Sequence, residues 1–291
     1  MGFPSHPTFS ASRRRFLAAA PALGLLPVRS ARAAAGLRIG LTPVFLDDQI
    51  SFNARWRRWF EDKLERPVTF VQRGNYREVV DLLVAGKIDC AWLCGYPYVR
   101  HRRHLRLAAV PLWQGKPLYQ SYLIVPAAEA AVRGFAELRG RVFAYSDPDS
   151  NSGFLYPQYA LRNGGENPAR YFSRTFFTWS HRNVVEAVSV GLADGGAVDG
   201  YVWEMLARIR PTLTAGTRVV ERSPLLGFPP FVARGDLPEA EFRAVRAALL
   251  GMASDPRGVE LLGRLGLDGF SPGTPDLFDG IARMIERMGR A

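Results

Sequence analysis

The 291-residue chain lacks an apolar run long enough to cross a bilayer. The run that opens its first segment, Phe16 to Leu26, falls well short of the roughly 18 residues a spanning helix needs. Acidic residues are missing from residues 1–35, which hold five arginines. The rest carries 33 Lys and Arg against 27 Asp and Glu, so the formal +11 falls to +6 beyond this segment. That balance argues for solubility and against a nucleic-acid partner. Cysteine is scarce, with only Cys90 and Cys94, in a stretch that reads as a buried strand. Four extended residues cover about 13 Å, whereas bridged Cα atoms lie within about 7 Å, so no bridge is expected. A G-x-S-x-G elbow is also missing, which disfavours a secreted Ser/His hydrolase built on Ser150 or Ser152 with His181. Zinc on Cys90, Cys94, His101 and His104 is disfavoured because Cys90 lies mid-strand and arginines interleave the histidines. The reading is of a protein that is not an enzyme and has no metal, cofactor or catalytic residue.

What is there begins with an address. Ser12-Arg13-Arg14-Arg15-Phe16-Leu17 leads into the short apolar run, and Ala31-Arg32-Ala33-Ala34-Ala35 closes it with small residues. Charged start, short apolar middle and A-x-A-like exit describe a signal peptide over 1–35, and the paired arginines specify the twin-arginine (Tat) route. Cleavage is expected after Ala33 or Ala35, and the location is periplasmic or extracytoplasmic.

With 47% hydrophobic and 22% charged residues over its full length, the chain has the composition of an ordinary folded protein. Strand patterns at Leu37–Thr42, Val68–Gln72 and Ile88–Leu93 alternate with helical patterns at Ser51–Glu65 and Asn75–Ala85. This order predicts a parallel sheet covered on both faces, an α/β class. Asn75 reads as a helix N-cap, with Glu78 three residues on. The stretch Arg77–Asp89 superposes on Arg182–Asp194 at a shift of 105, sharing the Arg, two Val, the Gly and the Asp. Two similar α/β lobes follow, each with a helix running into a Gly-x-x-Asp turn. Crossing strands are expected near Gln120–Ile124 and Val219–Ser223, with a cleft between the lobes. A strand at Phe231–Ala233 and then helices only complete the chain.

The strongest local signal is Ser146-Asp-Pro-Asp-Ser-Asn-Ser-Gly153, between a strand ending at Tyr145 and a helix starting near Gly153. Ser150, Asn151 and Ser152 place donors at a helix N-terminus, which suits either an anion or a plain cap. His181 ends the next strand pattern beside an expected Asn183 cap, and an imidazole donates in either charge state. Tyr76 and Tyr96 sit at loop–helix junctions where a phenol can face a cleft. The Arg100–Arg106 cluster reads as a solvated surface.

Asp147-Pro-Asp-Ser-Asn-Ser-Gly153, then His181, together with Gly86-Lys-Ile-Asp-Cys-Ala-Trp92, resemble the phosphonate/phosphite (PhnD-type) solute-binding proteins of ABC importers. The resemblance runs through most of Gly36–Leu265. It implies the type II periplasmic-binding fold, with lobe 1 over 36–120 plus 223–291 and lobe 2 over 121–222. It implies that Ser150, Asn151 and Ser152 hold the phosphoryl oxygens with His181, and that Tyr76 closes from the first lobe; Tyr96, at its own loop–helix junction, is expected to join it. Phe228-Pro229-Pro230 stands where an amine-binding acid is expected, with Glu204 as a remaining candidate. A small oxyanion such as phosphite, phosphate or a short alkylphosphonate is therefore favoured over an aminophosphonate. The implied partner is an ABC permease, or alternatively a membrane sensor kinase, and the chain is read as a monomer.

Overall fold

The computed structural model describes residues 1–2, 36–42 and 50–289. The twin-arginine motif and both cleavage positions lie outside the described residues. The chain begins with β1 (Leu37–Leu41), then α1 (Ile50–Leu64), β2 (Val68–Gln72), α2 (Tyr76–Val84), β3 (Cys90–Trp92), α3 (Gly95–His101) and β4 (Leu105–Leu112). Short β5 (Leu118–Tyr119) leads to β6 (Ser121–Pro126), β7 (Val142–Tyr145), α4 (Tyr156–Asn163), α5 (Pro168–Tyr171), β8 (Arg174–Phe177) and α6 (His181–Ser189). There follow β9 (Gly195–Asp199), α7 (Gly200–Ile209), α8 (Pro211–Ala215), β10 (Thr217–Arg222), β11 (Leu226–Gly227) and β12 (Phe231–Arg234). The chain ends with α9 (Glu239–Leu250), α10 (Pro256–Leu265), β13 (Gly269–Ser271) and α11 (Asp279–Gly289).

Two sheets carry the architecture. The first runs β13-β4-β12-β3-β1-β2 and the second β10-β6-β9-β7-β8. In each, the strand that opens the α/β run pairs in parallel with both neighbours, β1 with β2 and β3, and β7 with β8 and β9. In each, the next place is taken by an antiparallel strand supplied by the chain as it crosses over, β12 beside β3 and β6 beside β9. The crossing itself is narrow. β5 pairs with β11, and Ser121 N–H donates to Ser223 Oγ at 2.9 Å. The crossing pair thus lies at Leu118–Tyr119 and Leu226–Gly227, adjacent to the expected segments. Those segments are β6 and β10, which pair antiparallel with each other inside the second sheet. The tail is not helices only, since β13 adds an edge strand to the first sheet through β4.

The repeat at a shift of 105 is a repeat of bonds. Asn75 and Ser180 each cap a helix through a side-chain oxygen, taking the N–H of Glu78 and Asn183. Gly86 and Gly191 end those helices in left-handed conformations, φ 67° and 73°, which a side chain would strain. Asp89 and Asp194 then each accept a backbone N–H, from Arg38 and Val142, both at 2.8 Å. This ties both of these helix–strand turns to the strand of their sheet that has parallel neighbours on each side, β1 and β7. Asp89 is nearly buried, and Arg38 and Arg234 also reach it. Burial opposes its charge, but the Arg38 bonds prevail and hold the carboxyl below its usual range. In the core of the first sheet, Trp56 of α1 packs against Phe52, Phe60, Phe70 and Trp92. Cys90 lies in β3 and Cys94 just before α3, both as buried free thiols.

Asp89→Ala removes a nearly buried acceptor of one backbone N–H and of two guanidinium groups, which keep Gly86 O and Asp236 as partners, whereas Asp194 is more exposed. Urea unfolding is expected to show Asp89→Ala losing about 2–3 kcal/mol and Asp194→Ala about half that. Equal losses would contradict the account of the turn.

Candidate functional site

The carboxyl ends of β2, β3, β7, β8 and β9 all face one place, and each hands the chain to a loop or helix start. Tyr76 is the first residue of α2 and His181 the first of α6, so the two occupy equivalent positions in the repeat. They meet, with Tyr76 Oη 3.3 Å from His181 Nε2. The expected Asn183 cap is in fact Ser180. Trp179 beside it adopts a left-handed φ of 65°, which stops β8 at Phe177 and turns His181 inward. Ser150 and the wide turn Asn151–Leu155 follow β7, and Leu155 N–H bonds back to Ser150 O at 3.0 Å. Five-residue spacing opens this turn more than an α-helix would. The helix expected near Gly153 therefore becomes regular only at Tyr156.

Tyr76, Ser150, Asn151, Ser152 and His181 are all buried and brought together. Ser150 Oγ accepts Gly153 N–H, so its side chain is a cap. Asn151 donates its amide to Tyr119 Oη at 2.8 Å and its backbone N–H to Cys94 Sγ. Ser146 Oγ, Asn151 Oδ1 and Ser152 Oγ are buried with no hydrogen-bond partner among the described residues. Gly153 allows this crowding, because a Cβ there would lie 1.8 Å from Ser146 Oγ and 3.1 Å from His181 Cε1. Tyr96 stands apart: it is half-buried and its ring lies under the Arg100 guanidinium. Glu204 is also elsewhere, accepting the Tyr122 hydroxyl, and Phe228 packs on Tyr119 and Tyr201. The Arg100–Arg106 cluster is not simply solvated, since Arg100 pairs with Asp149 and Arg106 with Glu239.

Three residues shape this site that the sequence reading passed over. Asp199 N–H donates to His181 Nδ1 at 3.1 Å, so the imidazole proton sits on Nε2. Burial lowers the His181 pKa to about 3, so the ring is a neutral donor. Asp199 also caps α7 through Oδ1, taking the N–H groups of Tyr201 and Val202. Burial raises its own pKa to about 7. Asp147 Oδ2 accepts Tyr76 N–H and Oδ1 accepts Asp149 N–H; burial raises this carboxyl too. Tyr119, from the crossing strand, is held well above the usual phenol range by burial and remains a donor. Asp199 had a readable signal, an acid between the apolar run 195–198 and an amphipathic helix. Tyr119 had none, because its place depends on the crossing. An acid–histidine–serine relay needs Nδ1–H to donate to a carboxylate. Here Nδ1 accepts a backbone N–H instead, and the arrangement suits holding a ligand by donors.

These shifts oppose each other in stability. Between about pH 4 and 6.5 the folded chain keeps Asp199 protonated and His181 neutral, whereas the unfolded chain does the reverse. Both states then carry the same number of protons on this pair, and the pair contributes no slope. His181→Gln leaves the Asp199 contribution, present below about pH 4 and lost as pH rises towards 7. Its stability is expected to fall by about 1.4 kcal/mol per pH unit across this range. Asp199→Asn leaves the depressed histidine, whose contribution is present above pH 6.5 and lost on acidification, so its stability rises with pH. Urea unfolding at pH 4.5, 5.5 and 6.5 checks both slopes.

With the geometry in place, similarity to known proteins is informative. The family model described as ABC transporter, phosphonate, periplasmic substrate-binding protein matches residues 39–278. The phosphate-import protein PhnD of Mycolicibacterium smegmatis is 30% identical over 150 residues, covering 48% of this chain and 47% of that protein. A probable ABC transporter phosphite binding protein, PhnD1 of Prochlorococcus marinus, is 28% identical over 107 residues, 36% of each chain. The chain thus aligns with half or less of the length of these two relatives. The solved structure of PhnD1 from Prochlorococcus marinus in complex with methylphosphonate superposes with a TM-score of 0.78. That match has 20% identity and covers 88% of this chain and 98% of the other. The fold is the type II periplasmic-binding fold, and proteins of this family bind substrates for transport and are not enzymes. From residue 39 to 278, through both sheets and the site between them, the chain belongs to the periplasmic phosphonate substrate-binding proteins of ABC transporters.

Proposed function

We propose that the chain captures a small phosphorus oxyanion, such as phosphite, phosphate or a short alkylphosphonate, outside the cytoplasmic membrane for an ABC permease. In this reading the two sheets are the cores of two lobes, residues 36–120 with 223–291 and residues 121–222, which close on the ligand. Buried oxygens without partners among the described residues carry the proposal: the Ser146 and Ser152 hydroxyls, which can donate to an oxyanion, and Asn151 Oδ1, which only accepts and suits a protonated oxygen of the ligand. Such atoms cost free energy unless something bonds to them. Ser146 Oγ and His181 flank Gly153, His181 meets the Tyr76 phenol, and Asn151 meets the Tyr119 phenol in the same turn. Ser150, Asn151 and Ser152 with His181 hold the oxygens from the second lobe, and Tyr76 closes from the first. Tyr96 serves the rim beside Arg100.

The donors recorded in this cluster are neutral. Hydroxyls, an imidazole and helix starts can stabilise an anion without a fixed cation, because aligned backbone N–H groups supply positive potential. The nearby acids are engaged in capping: Asp147 holds Tyr76 and Asp149 N–H groups, and Asp199 Oδ1 holds two more. That leaves little carboxylate to hold an ammonium group, which favours simple oxyanions over aminophosphonates.

Thermal melting against phosphite, phosphate, methylphosphonate, aminoethylphosphonate, sulfate and nitrate tests the reading. A ligand at 100 times its Kd stabilises the folded state by about 2.7 kcal/mol. At about 2–4 °C per kcal/mol, a shift of several degrees is expected with a simple phosphorus oxyanion. Ser152→Ala with His181→Gln is expected to abolish the shift. A shift with none of the phosphorus anions, or one that survives both substitutions, contradicts the proposal.

A further inference from the structure

The loop that follows β7 carries one acidic side chain that faces away from the buried cluster. Asp149 accepts Arg77 of α2, at 3.1 Å to Oδ2 and 3.2 Å to Oδ1, and Arg100 of α3, at 3.2 Å to Oδ1. Its carboxylate is 9% exposed, while the arginine side chains are 63% and 42% exposed. Asp149 belongs to the second sheet's connections, and both arginines belong to helices of the first. Among the described residues, the other bonds of this loop that cross the same gap each have a neutral partner: Asp147 takes Tyr76 N–H, Asn151 N–H reaches Cys94 Sγ, and the Asn151 amide donates to Tyr119 Oη.

We propose that Asp149 is a positioning residue for ligand capture, holding the cleft shut through Arg77 and Arg100 without touching the ligand. The inference rests on the lobe-closure reading above. An ion pair inside one lobe is present in open and closed forms alike and shifts nothing. A pair whose members sit on different lobes exists only when they meet, so its free energy belongs to the closed form alone. Apparent affinity scales with the fraction of molecules competent to bind, so a weaker latch raises Kd without changing any ligand contact. The backbone links the two functions. Asp149 N–H donates to Asp147, whose other oxygen holds the first N–H of α2, and Ser150 follows directly. The latch therefore positions the serine turn against Tyr76. It also neutralises two guanidinium groups at the cleft edge, which leaves selection of the anion to the neutral donors inside.

The arginines are solvent-exposed, so salt reaches the latch. The test uses calorimetric titration of the full chain with phosphate, phosphite and methylphosphonate in 20 and 300 mM NaCl, alongside X-ray scattering of the ligand-free protein. At low salt, Asp149→Asn is expected to raise Kd about five- to tenfold, between the effects of exposed and buried pairs. It should leave the ranking of the three anions unchanged, remove most of the salt dependence shown by the native chain, and enlarge the ligand-free radius of gyration. Arg77→Gln with Arg100→Gln, on exposed side chains, should reproduce these effects, and Asp149→Glu should restore part of the affinity. Native affinity and salt slope in both the aspartate and the arginine variants would overturn the latch. If the native chain binds none of the three anions, the functional reading fails separately. The latch then stands or falls on scattering, and equal radii for the native chain and Asp149→Asn overturn it.

Discussion

A single backbone hydrogen bond sets the chemistry of the buried cluster around His181. Asp199 N–H occupies His181 Nδ1, and the imidazole must then present Nε2–H to the interior. Burial keeps the ring neutral, so this donor persists across the physiological range. With Nε2–H directed at Tyr76 Oη, the phenol's own proton is free to point elsewhere. The serine turn, the close approach allowed by Gly153 and the capping carboxylates all assemble around that orientation. A charged imidazolium would supply more attraction, but burial without a paired carboxylate makes it too costly.

The duplication explains why the parts meet. Each half places a capped helix after its second strand, and each capped helix begins with a ring-bearing donor, Tyr76 in one and His181 in the other. The halves exchange strands at the crossing, β12 entering the first sheet and β6 the second. This exchange turns the carboxyl edges toward one another, and the equivalent first residues come into contact. Sites in open α/β sheets form at such edges, and here two edges supply one site.

Much of this was legible. The Gly-x-x-Asp turns, the cap at Asn75 and the Ser146–Gly153 motif are local, and local rules of periodicity and capping find them. The α/β class followed from alternation of periods, and the family from a motif of serines followed by a histidine. The missing features depend on contacts distant in sequence. Tyr119 lies on a two-residue strand whose partner is more than a hundred residues away. Ser180, rather than Asn183, caps α6 because Trp179 takes a left-handed turn that no periodicity rule anticipates for tryptophan. Asp149 looked like part of a polar turn until the structure set Arg77 and Arg100 against it. The strand β13 is three residues long and carries a glycine, too short for an alternation signal.

The central claim is that a neutral imidazole, fixed in one tautomer, passes its Nε2–H from Tyr76 Oη to the ligand. Nitrogen NMR of labelled His181, recorded with and without methylphosphonate between pH 5 and 8, tests it directly. The account predicts a protonated Nε2 and an unprotonated Nδ1 throughout, with the Nε2 resonance shifting as ligand is added. Two protonated nitrogens in the complex, or an Nε2 signal indifferent to ligand, would contradict it.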